Sequence, residues 1–216
     1  MVEQADSSGS AGSARTSAQP PAIRPAVRKD AGRIAELFRI SSDGIADYIW
    51  RQLLGDYPGL SPLEIGQRRY EREGVAFSYQ NCTVAERDGE VVAMAHAFVM
   101  PDRAPDEEPE PDPVLAPYAA LEVPGSLYLS GLAVLPAHQN LGIGSRLLAA
   151  TRGRARDLGA PSVSLICFAQ NRDAMRLYRR HGFTEIDRRP VVPHPLIHHT
   201  GDAVLMAADT ATDTDV

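Results

Sequence analysis

The stretch Gln139-Asn140-Leu141-Gly142-Ile143-Gly144 decides the fold, because it has the composition of a tight glycine turn between a strand and a helix. The apolar residues 127–135 precede it and predict a strand, and residues 143–158 follow with apolar side chains at helical spacing. The first N–H groups of a helix lack partners within the helix, and the helix dipole is positive there. A turn with little side-chain bulk lets a phosphate reach those donors, so the sequence predicts a site for an anionic cofactor.

The spacing of the turn narrows the kind of anion site. A Walker loop needs Lys and then Ser or Thr after its last glycine, whereas Ser145 and Arg146 follow here, which excludes it. A dinucleotide fingerprint needs Gly or Ala where this chain has Leu147, so that interpretation is weak. The alternative that this glycine turn binds no ligand and only links a strand to a helix remains at this point.

The segments after the turn predict a repeating order of elements. Residues 159–161 are Gly-Ala-Pro and end the first helix, and residues 162–167 alternate like a strand. Residues 171–181 predict a second helix, which Gly182 ends and Phe183 follows as the start of another strand.

Together these two motifs resemble the signatures of the GNAT superfamily of N-acetyltransferases. Gln-x-x-Gly-x-Gly resembles its acyl-coenzyme A pyrophosphate loop, and the order Asn171, Ala174, Leu177-Tyr178, Gly182-Phe183 resembles its second signature. The resemblance implies an α/β GNAT fold, with a mixed, mostly antiparallel central sheet of six to seven strands flanked by helices on both faces. Asn140 and Leu141 depart from the family pattern, where glycine and a basic or polar residue are more common, so one phosphate contact is expected to be missing.

The rest of the chain predicts the remaining elements of one domain at residues 21–208. We expect a strand at 22–28, a helix capped by Asp30, a short helix or loop at 45–53, a third helix from Ser61, a hairpin around Asp88-Gly89 and a last strand at 202–206. Residues 1–20 and 209–216 predict disordered tails, and residues 101–113 predict an acidic, proline-rich loop.

Charge and composition limit the classes of partner. The formal net charge is −6, but the tails and residues 101–113 hold more than this excess of acid, so the remainder is mildly basic. The sequence has no strong basic block and no interleaving of basic and aromatic residues, which disfavours nucleic acid as a partner, and no apolar run long enough to span a membrane. We therefore expect a soluble, cytoplasmic protein, monomeric or homodimeric.

The resemblance also implies roles for particular residues. The backbone of Leu132, Ala133 and Val134 is expected to bind the pantetheine arm and the thioester oxygen, and Asn171 the same arm. The pyrophosphate is expected to lie against the turn and the start of its helix, formed by Gln139, Asn140, Leu141, Gly142, Ile143, Gly144 and Ser145. Tyr178 matches the phenol that lies beside the sulfur and protonates the leaving thiolate; the alternative is a core aromatic packed on Phe183.

The general base is less well defined by the sequence. Glu122, before the strand at 127–135, and Asp47, in an early loop, are candidates, and a base can also act through water. His194, His198 and His199 lack ligand spacing, so we expect no metal there and a loop near the acceptor mouth instead. Both cysteines, Cys82 and Cys167, are expected to be structural.

These expectations combine into one function with two alternatives. The chain is predicted to move an acetyl group from acetyl-CoA directly to a primary amine of a small molecule, through a ternary complex and without a metal. The first alternative is acetylation of a protein N-terminus or lysine, and the second is a sensor that binds acyl-CoA without turnover.

Overall fold

The computed structural model describes residues 20–102, 104, 106 and 108–211 as an α/β fold. Its strands are β1 (Ala22–Pro25), β2 (Cys82–Arg87), β3 (Glu90–Val99), β4 (Leu127–Val134), β5 (Ser162–Phe168), β6 (Thr184–Pro190) and β7 (Asp202–Asp209). Its helices are α1 (Ala31–Ser41), α2 (Ile45–Gln52), α3 (Pro62–Tyr70), the short α4 (Ala116–Ala119), α5 (Ile143–Asp157) and α6 (Arg172–Arg180). None of the helices in these described ranges is both long and apolar enough to cross a membrane.

The seven strands form one mixed sheet in the order β1-β2-β3-β4-β5-β7-β6. Every neighbouring pair is antiparallel except β4 and β5, which are parallel. This parallel pair is short, because residues 127–129 pair with residues 163–165 and the two strands then separate. The separation leaves an opening in the middle of the sheet, at the carboxyl ends of both strands.

A β-bulge at Ser130 lies at the start of this opening. Leu129 pairs with Ala97 and Gly131 with His96, so Ser130 is an extra residue in β4. The extra residue reverses which side chains face which side of the sheet. Leu129 packs into the core beneath α5 before the bulge, whereas Leu132 packs there after it.

Helices cover both faces of the sheet, each over its own core. α5 and α6 pack on one face, and α1, α2 and α3 on the other. α1 approaches β4 closely because Gly131 has no side chain: a Cβ at this position would lie 2.8 Å from Ser41 Oγ and 2.9 Å from the ring of Phe38. This close approach brings the end of α1 to the opening between β4 and β5.

A long excursion between β3 and β4 leaves and re-enters the sheet at one point. The Met100 N–H donates to the Ser126 carbonyl and the Gly125 N–H donates to the Met100 carbonyl, both at 2.9 Å. Midway along the excursion, the Asp112 carboxylate accepts hydrogen bonds from Tyr48 Oη (2.8 Å) and Gln52 Nε2 (2.9 Å). These two hydrogen bonds tie the excursion to α2.

The predicted order of elements is confirmed, including the helix at 45–52 and the hairpin at Asp88-Gly89, whose φ angles of 53° and 82° suit a type I′ turn. The predicted capping by Asp30 is wrong in detail. Its carboxylate accepts hydrogen bonds from Arg24 and from the Val27 N–H, and it makes no side-chain cap of α1.

Two boundaries also differ from the sequence prediction. β1 ends at Pro25, before the predicted residue 28. β7 continues to Asp209, and the Thr210 hydroxyl donates to the Ala160 and Pro161 carbonyls, so the fold extends past residue 208. Apart from residues 20, 209, 210 and 211, the predicted tails lie outside the described residues.

Candidate active site

The glycine turn leads into α5 with its amide donors open. Gly142 is the N-cap residue, with φ 74°, and no side chain caps this helix end. A Cβ built on Gly142 would meet nothing within 4 Å, so the protein itself leaves the space beside the turn free. Asn140 also has a left-handed backbone, at φ 60°, which asparagine tolerates better than most residues. The asparagine that departs from the family pattern is therefore compatible with this turn.

A cleft of about 940 Å³ lies between the turn and α6. Three arginines of α6 line it, namely Arg176, Arg179 and Arg180. His138 also lines it, and its Nδ1 atom is buried without a hydrogen-bond partner among the described residues. Open helix donors, guanidinium groups and an unpaired ring nitrogen suit a phosphate-bearing ligand, so the residues present fit the pyrophosphate of coenzyme A.

The arginines of α5 have a different role from those of α6. The helical spacing of residues 143–158 predicts Arg152 on the solvent side of α5, but it is 8% exposed and donates to the His181 and Asp209 carbonyls, both at 2.7 Å. Arg154 donates to the Ala97 carbonyl at 2.6 Å. These guanidinium groups bind the protein's own backbone and hold α5 to the sheet, which leaves the α6 arginines to face the cleft.

The opening between β4 and β5 forms a channel of about 210 Å³ through the sheet. On one side it shares walls with the cleft, because Asn171 and Tyr178 line both. On the other side it is lined by Ser41 and Asp43, at the junction of α1 and α2. The channel therefore connects the cleft on the α5–α6 face with the α1–α2 face.

Most of the predicted cofactor residues lie along this path. The cleft walls include Leu132, Val134, Gln139, Asn140, Gly142, Ile143, Gly144, Ser145, Asn171 and Tyr178. Ala133 lines the channel, whereas the Leu141 side chain is 57% exposed and forms part of neither wall. The Asn171 side chain also caps α6, accepting a hydrogen bond from the Ala174 N–H at 3.2 Å.

Tyr178 joins the core and the channel. Its ring lies 5.7 Å from that of Phe183, so the packing role considered for it is present as well. Burial raises the pKa of its phenol, and Cys167, Tyr128 and Asp43 nearby raise this pKa further. A phenol that stays protonated at neutral pH has the form that a proton donor needs.

Cys167 also lies in the channel wall, where a thiol has to be considered as a nucleophile. Burial raises the pKa of its thiol to about 12, so it is protonated at neutral pH. Only the thiolate is a strong nucleophile, which makes Cys167 unreactive toward a thioester. Cys82 is buried, as is Cys167, and both are free thiols, in agreement with the structural roles expected of them.

Ser130, in the bulge, is held by a buried histidine. His96 Nε2 lies 3.0 Å from the Ala76 carbonyl, which only accepts, so Nε2 carries the proton. His96 Nδ1 therefore accepts from Ser130 Oγ at 2.5 Å. Desolvation lowers the pKa of His96 to about 4, so the ring is neutral at neutral pH.

The sequence did not predict the pair formed by Asp43 and His199. Their side chains meet at 3.2 Å, between Asp43 Oδ2 and His199 Nε2. The ring of His199 lies 4.8 Å from that of Phe168, and both Asp43 and Phe168 line the channel. The only local signal is Asp43-Gly44, a pair that favours left-handed backbone, and both residues have positive φ angles.

A second space, a groove of about 890 Å³, lies on the α1–α3 face. Four aromatic side chains line it, namely Phe77, Phe98, Tyr118 and Tyr128. The predicted base Glu122 is exposed in this wall and interacts electrostatically with Tyr128, while Glu110 lines the same groove. The Tyr118 ring contacts Phe168 at 6.1 Å, so groove and channel lie on either side of one aromatic contact.

The other predicted candidates lie away from the channel. Asp47 pairs with Arg39 at 2.7 Å and is absent from the walls of the cleft, the channel and the groove. His194 packs on Tyr48, with ring centroids 4.6 Å apart, in the segment between β6 and β7. Within the part of the chain that the structure describes, no three His, Cys, Asp or Glu side chains are grouped so as to hold a metal ion.

A mostly antiparallel sheet whose one parallel pair separates beside a glycine-capped helix defines an α/β acyltransferase. The chain belongs to the acetyltransferase (GNAT) family, whose family model matches residues 45–183. Members of this family use acetyl-CoA and transfer its acetyl group to amines.

Solved structures support the same fold. A protein described as an acetyltransferase is 19% identical, with a TM-score of 0.61, and the match covers 88% of this chain and 99% of that one. An N-acetyltransferase from Staphylococcus aureus Mu50 is 16% identical, with a TM-score of 0.57 and coverage of 87% and 100%. The ribosomal-protein-S18-alanine N-acetyltransferase from Escherichia coli is 18% identical, with a TM-score of 0.55 and coverage of 90% and 96%. At these identities the likeness shows the fold alone, and no curated protein matches the chain.

Proposed function

We propose that this protein transfers the acetyl group of acetyl-CoA directly to a primary amine of a small molecule, within a ternary complex. The channel between β4 and β5 is the observation that carries the proposal, because it joins a cleft lined by open helix donors and arginines to the α1–α2 face, which also carries the aromatic groove. Acetyl-CoA supplies an activated acetyl thioester, and the chain supplies position, a proton donor and a proton acceptor.

The cleft would bind the cofactor through main-chain and arginine donors. The N–H groups of Ile143, Gly144 and Ser145 at the uncapped start of α5 would donate to the pyrophosphate, and the α6 arginines would add charge-assisted hydrogen bonds to phosphate. Among the described residues, the β5-facing edge of residues 130–134 has no strand partner, which leaves room there for the pantetheine arm, although the Val134 carbonyl accepts from Gln139 Nε2 at 3.1 Å.

Tyr178 would protonate the departing thiolate. It lies where cleft and channel meet, and its phenol is protonated at neutral pH. The protonated Cys167 beside it favours direct transfer, because the thiol is a poor nucleophile and an acyl-enzyme at this residue is disfavoured. Two carboxylates are positioned to take a proton from the amine, Glu122 in the groove wall and Asp43 in the channel wall.

The groove favours an amine with an apolar or aromatic body. Its volume of about 890 Å³ falls within the range of about 300–1,000 Å³ common for small-molecule sites. Aromatic faces suit an apolar body and also attract cations, and Glu110 and Glu122 add negative charge for an ammonium group. An arylalkylamine meets all three requirements.

A peptide acceptor is the second candidate, and the acids beside the groove favour it. Residues 101–113 contain six acidic residues in the sequence, and a basic peptide would be attracted to such a stretch. The channel residues Asn171 and Tyr178 would be shared by both kinds of enzyme, so the difference lies in what the groove accepts.

Thiol release from acetyl-CoA against a panel of acceptors tests the proposal. The panel contains arylalkylamines, polyamines, aminoglycosides and peptides with free N-termini. We expect the highest kcat/KM with arylalkylamines. A clear preference for peptides would favour the second candidate, and acetyl-CoA binding without turnover of any amine would indicate a sensor.

A further inference from the structure

We propose that Asp43 accepts the proton of the acceptor amine and that His199 positions its carboxylate. This inference rests on the proposed function and names the general base of that reaction. It depends on where three distant segments meet, namely the α1–α2 junction, the end of β5 and the segment between β6 and β7.

Asp43 is the carboxylate in the channel wall. The channel residues also include Tyr178 and Cys167, and the charge of Asp43 raises the pKa of both their side chains, which indicates that it lies close to them. Glu122 lines the groove instead, and its charge raises the pKa of the Tyr128 phenol. A base beside the reacting thioester has to face the channel, and Asp43 meets this condition.

Three contacts fix the position of Asp43. Its own carbonyl accepts from the His198 N–H at 2.9 Å, and its carboxylate meets His199 Nε2 at 3.2 Å. Its neighbour Gly44, at φ 103°, packs so closely that an added Cβ would lie 1.7 Å from the Leu196 carbonyl oxygen. The β6–β7 segment therefore clamps this turn and brings an imidazole nitrogen to the carboxylate.

Ser130, which lines the channel, and the buried His96 behind it form the competing proton acceptor. The Ser130 hydroxyl donates to His96 Nδ1, so the pair already uses the lone pair that a base would need. The pKa of about 4 that burial gives His96 makes it a weak base at neutral pH. Asp43 lines the channel and its carboxylate oxygens accept protons, so it suits the role better.

The proton balance of the reaction follows from these positions. The bound ammonium gives one proton to the Asp43 carboxylate, and its nitrogen lone pair then forms the C–N bond as the C–S bond breaks. Tyr178 gives its proton to the thiolate, and the second proton lost by nitrogen returns to the Tyr178 oxygen. The proton held by Asp43 passes to water, so the net products are the amide, the free thiol and one proton.

Asp43→Asn is the main test, because asparagine tolerates the left-handed φ of 48° at this position. We expect kcat for an alkylamine, which is protonated at pH 7, to fall about 10²-fold or more, with coenzyme A affinity unchanged in calorimetry. For an arylamine, which is already neutral at pH 7, we expect a much smaller loss. Asp88→Asn is the matched control, since Asp88 has φ 53° in an exposed turn, and it should retain wild-type activity.

His199 is tested as a positioning residue. His199→Phe keeps a ring against Phe168 but removes the N–H donor, so the acidic limb of the pH profile should move to higher pH. His199→Gln restores a donor and should recover activity. The titratable groups that face Asp43 are His199, Cys167 and Tyr178, and the NMR signal of the His199 ring should shift in Asp43→Asn with no substrate present.

The outcomes separate this assignment from the proposed function. Equal losses in Asp43→Asn for the alkylamine and the arylamine would overturn it, as would a near-normal Asp43→Asn beside an inactive Glu122→Gln, with amine acetylation itself intact. A wild-type protein that binds acetyl-CoA but acetylates no amine would overturn both the proposed function and this assignment.

Discussion

The cofactor side of the molecule, residues 127–183, and the acceptor side, which comprises residues 31–52, 108–126 and 191–201, are built differently. On the cofactor side, the turn, the helix start and the strand edge are backbone features encoded by one continuous segment. On the acceptor side, the groups that meet are side chains from segments far apart in the sequence, such as Asp43 with His199 and Tyr118 with Phe168. Backbone sites are therefore recognisable as short motifs, whereas side-chain sites depend on the complete fold.

The largest expected effect is on the cofactor side, in Gly142→Glu. The new carboxylate would occupy the space beside the turn and repel the pyrophosphate, so coenzyme A binding should be lost in calorimetry. Gly159→Glu is the matched control, because Gly159 has a similar φ of 69° and open surroundings at the other end of α5. Binding that survives in Gly142→Glu would remove the turn from the cofactor site.

The next largest effect is expected at Tyr178, where the two sides meet. Tyr178→Phe keeps the ring that packs on Phe183 and removes only the hydroxyl, so kcat should fall about 10²-fold or more with coenzyme A affinity intact. Tyr70→Phe is the control, since the Tyr70 hydroxyl is buried and has no partner among the described residues. Wild-type turnover in Tyr178→Phe would mean that another group protonates the thiolate.

Gly44→Ala should affect the acceptor side alone. Its Cβ would collide with the Leu196 carbonyl and displace the β6–β7 segment, so kcat/KM for the amine should fall about 10-fold, the loss expected when a proton acceptor is displaced. Coenzyme A affinity should not change. Gly89→Ala carries a comparable backbone penalty at φ 82° in an open hairpin turn, and equal activity loss in both variants would contradict this separation.

His96, at the boundary between the two sides, should affect stability rather than activity. In the unfolded chain its pKa is near 6.5 and in the fold about 4, so the unfolded state binds more protons between these values. This contribution to stability is complete above pH 6.5 and is lost as the pH falls toward 4, by up to about 3 kcal/mol. Urea unfolding at pH 7 and pH 4.5 should show a smaller decrease for His96→Gln than for the wild type.

The fold was largely predictable from the sequence because its signals are local. The glycine turn, the helical spacing after it and the Asp88-Gly89 hairpin each depend on a few adjacent residues, and all three are present. Arg152 was placed on the wrong side of α5 because periodicity treats arginine as a surface residue, whereas here two backbone carbonyls compensate its burial. The bulge at Ser130 has no sequence signal that we recognised.

The site was predictable only in part, because only some of its residues belong to a local motif and the others come from segments far apart in the sequence. Tyr178 and Asn171 belong to a motif, and the structure brings both to the channel. Asp43 became a candidate only once Gly131 had allowed α1 to approach β4 and the β6–β7 segment had packed on Gly44. Glu122 was selected for its place before β4, but its side chain faces the groove, so its role as base stays a prediction.

The excursion between β3 and β4 is closed by the hydrogen bonds of Met100 with Ser126 and Gly125. Because the chain leaves and returns at one point, a change in the length of this segment would leave the pairing of β3 with β4 intact, and loop length has only a weak effect on closure entropy. The segment also contributes Glu110, Tyr118 and Glu122 to the groove. Its Val114 and Leu121 are buried in the core and its Asp112 binds α2, so new residues at the groove-lining positions, with these three kept, offer a route to new acceptor specificity in enzyme engineering.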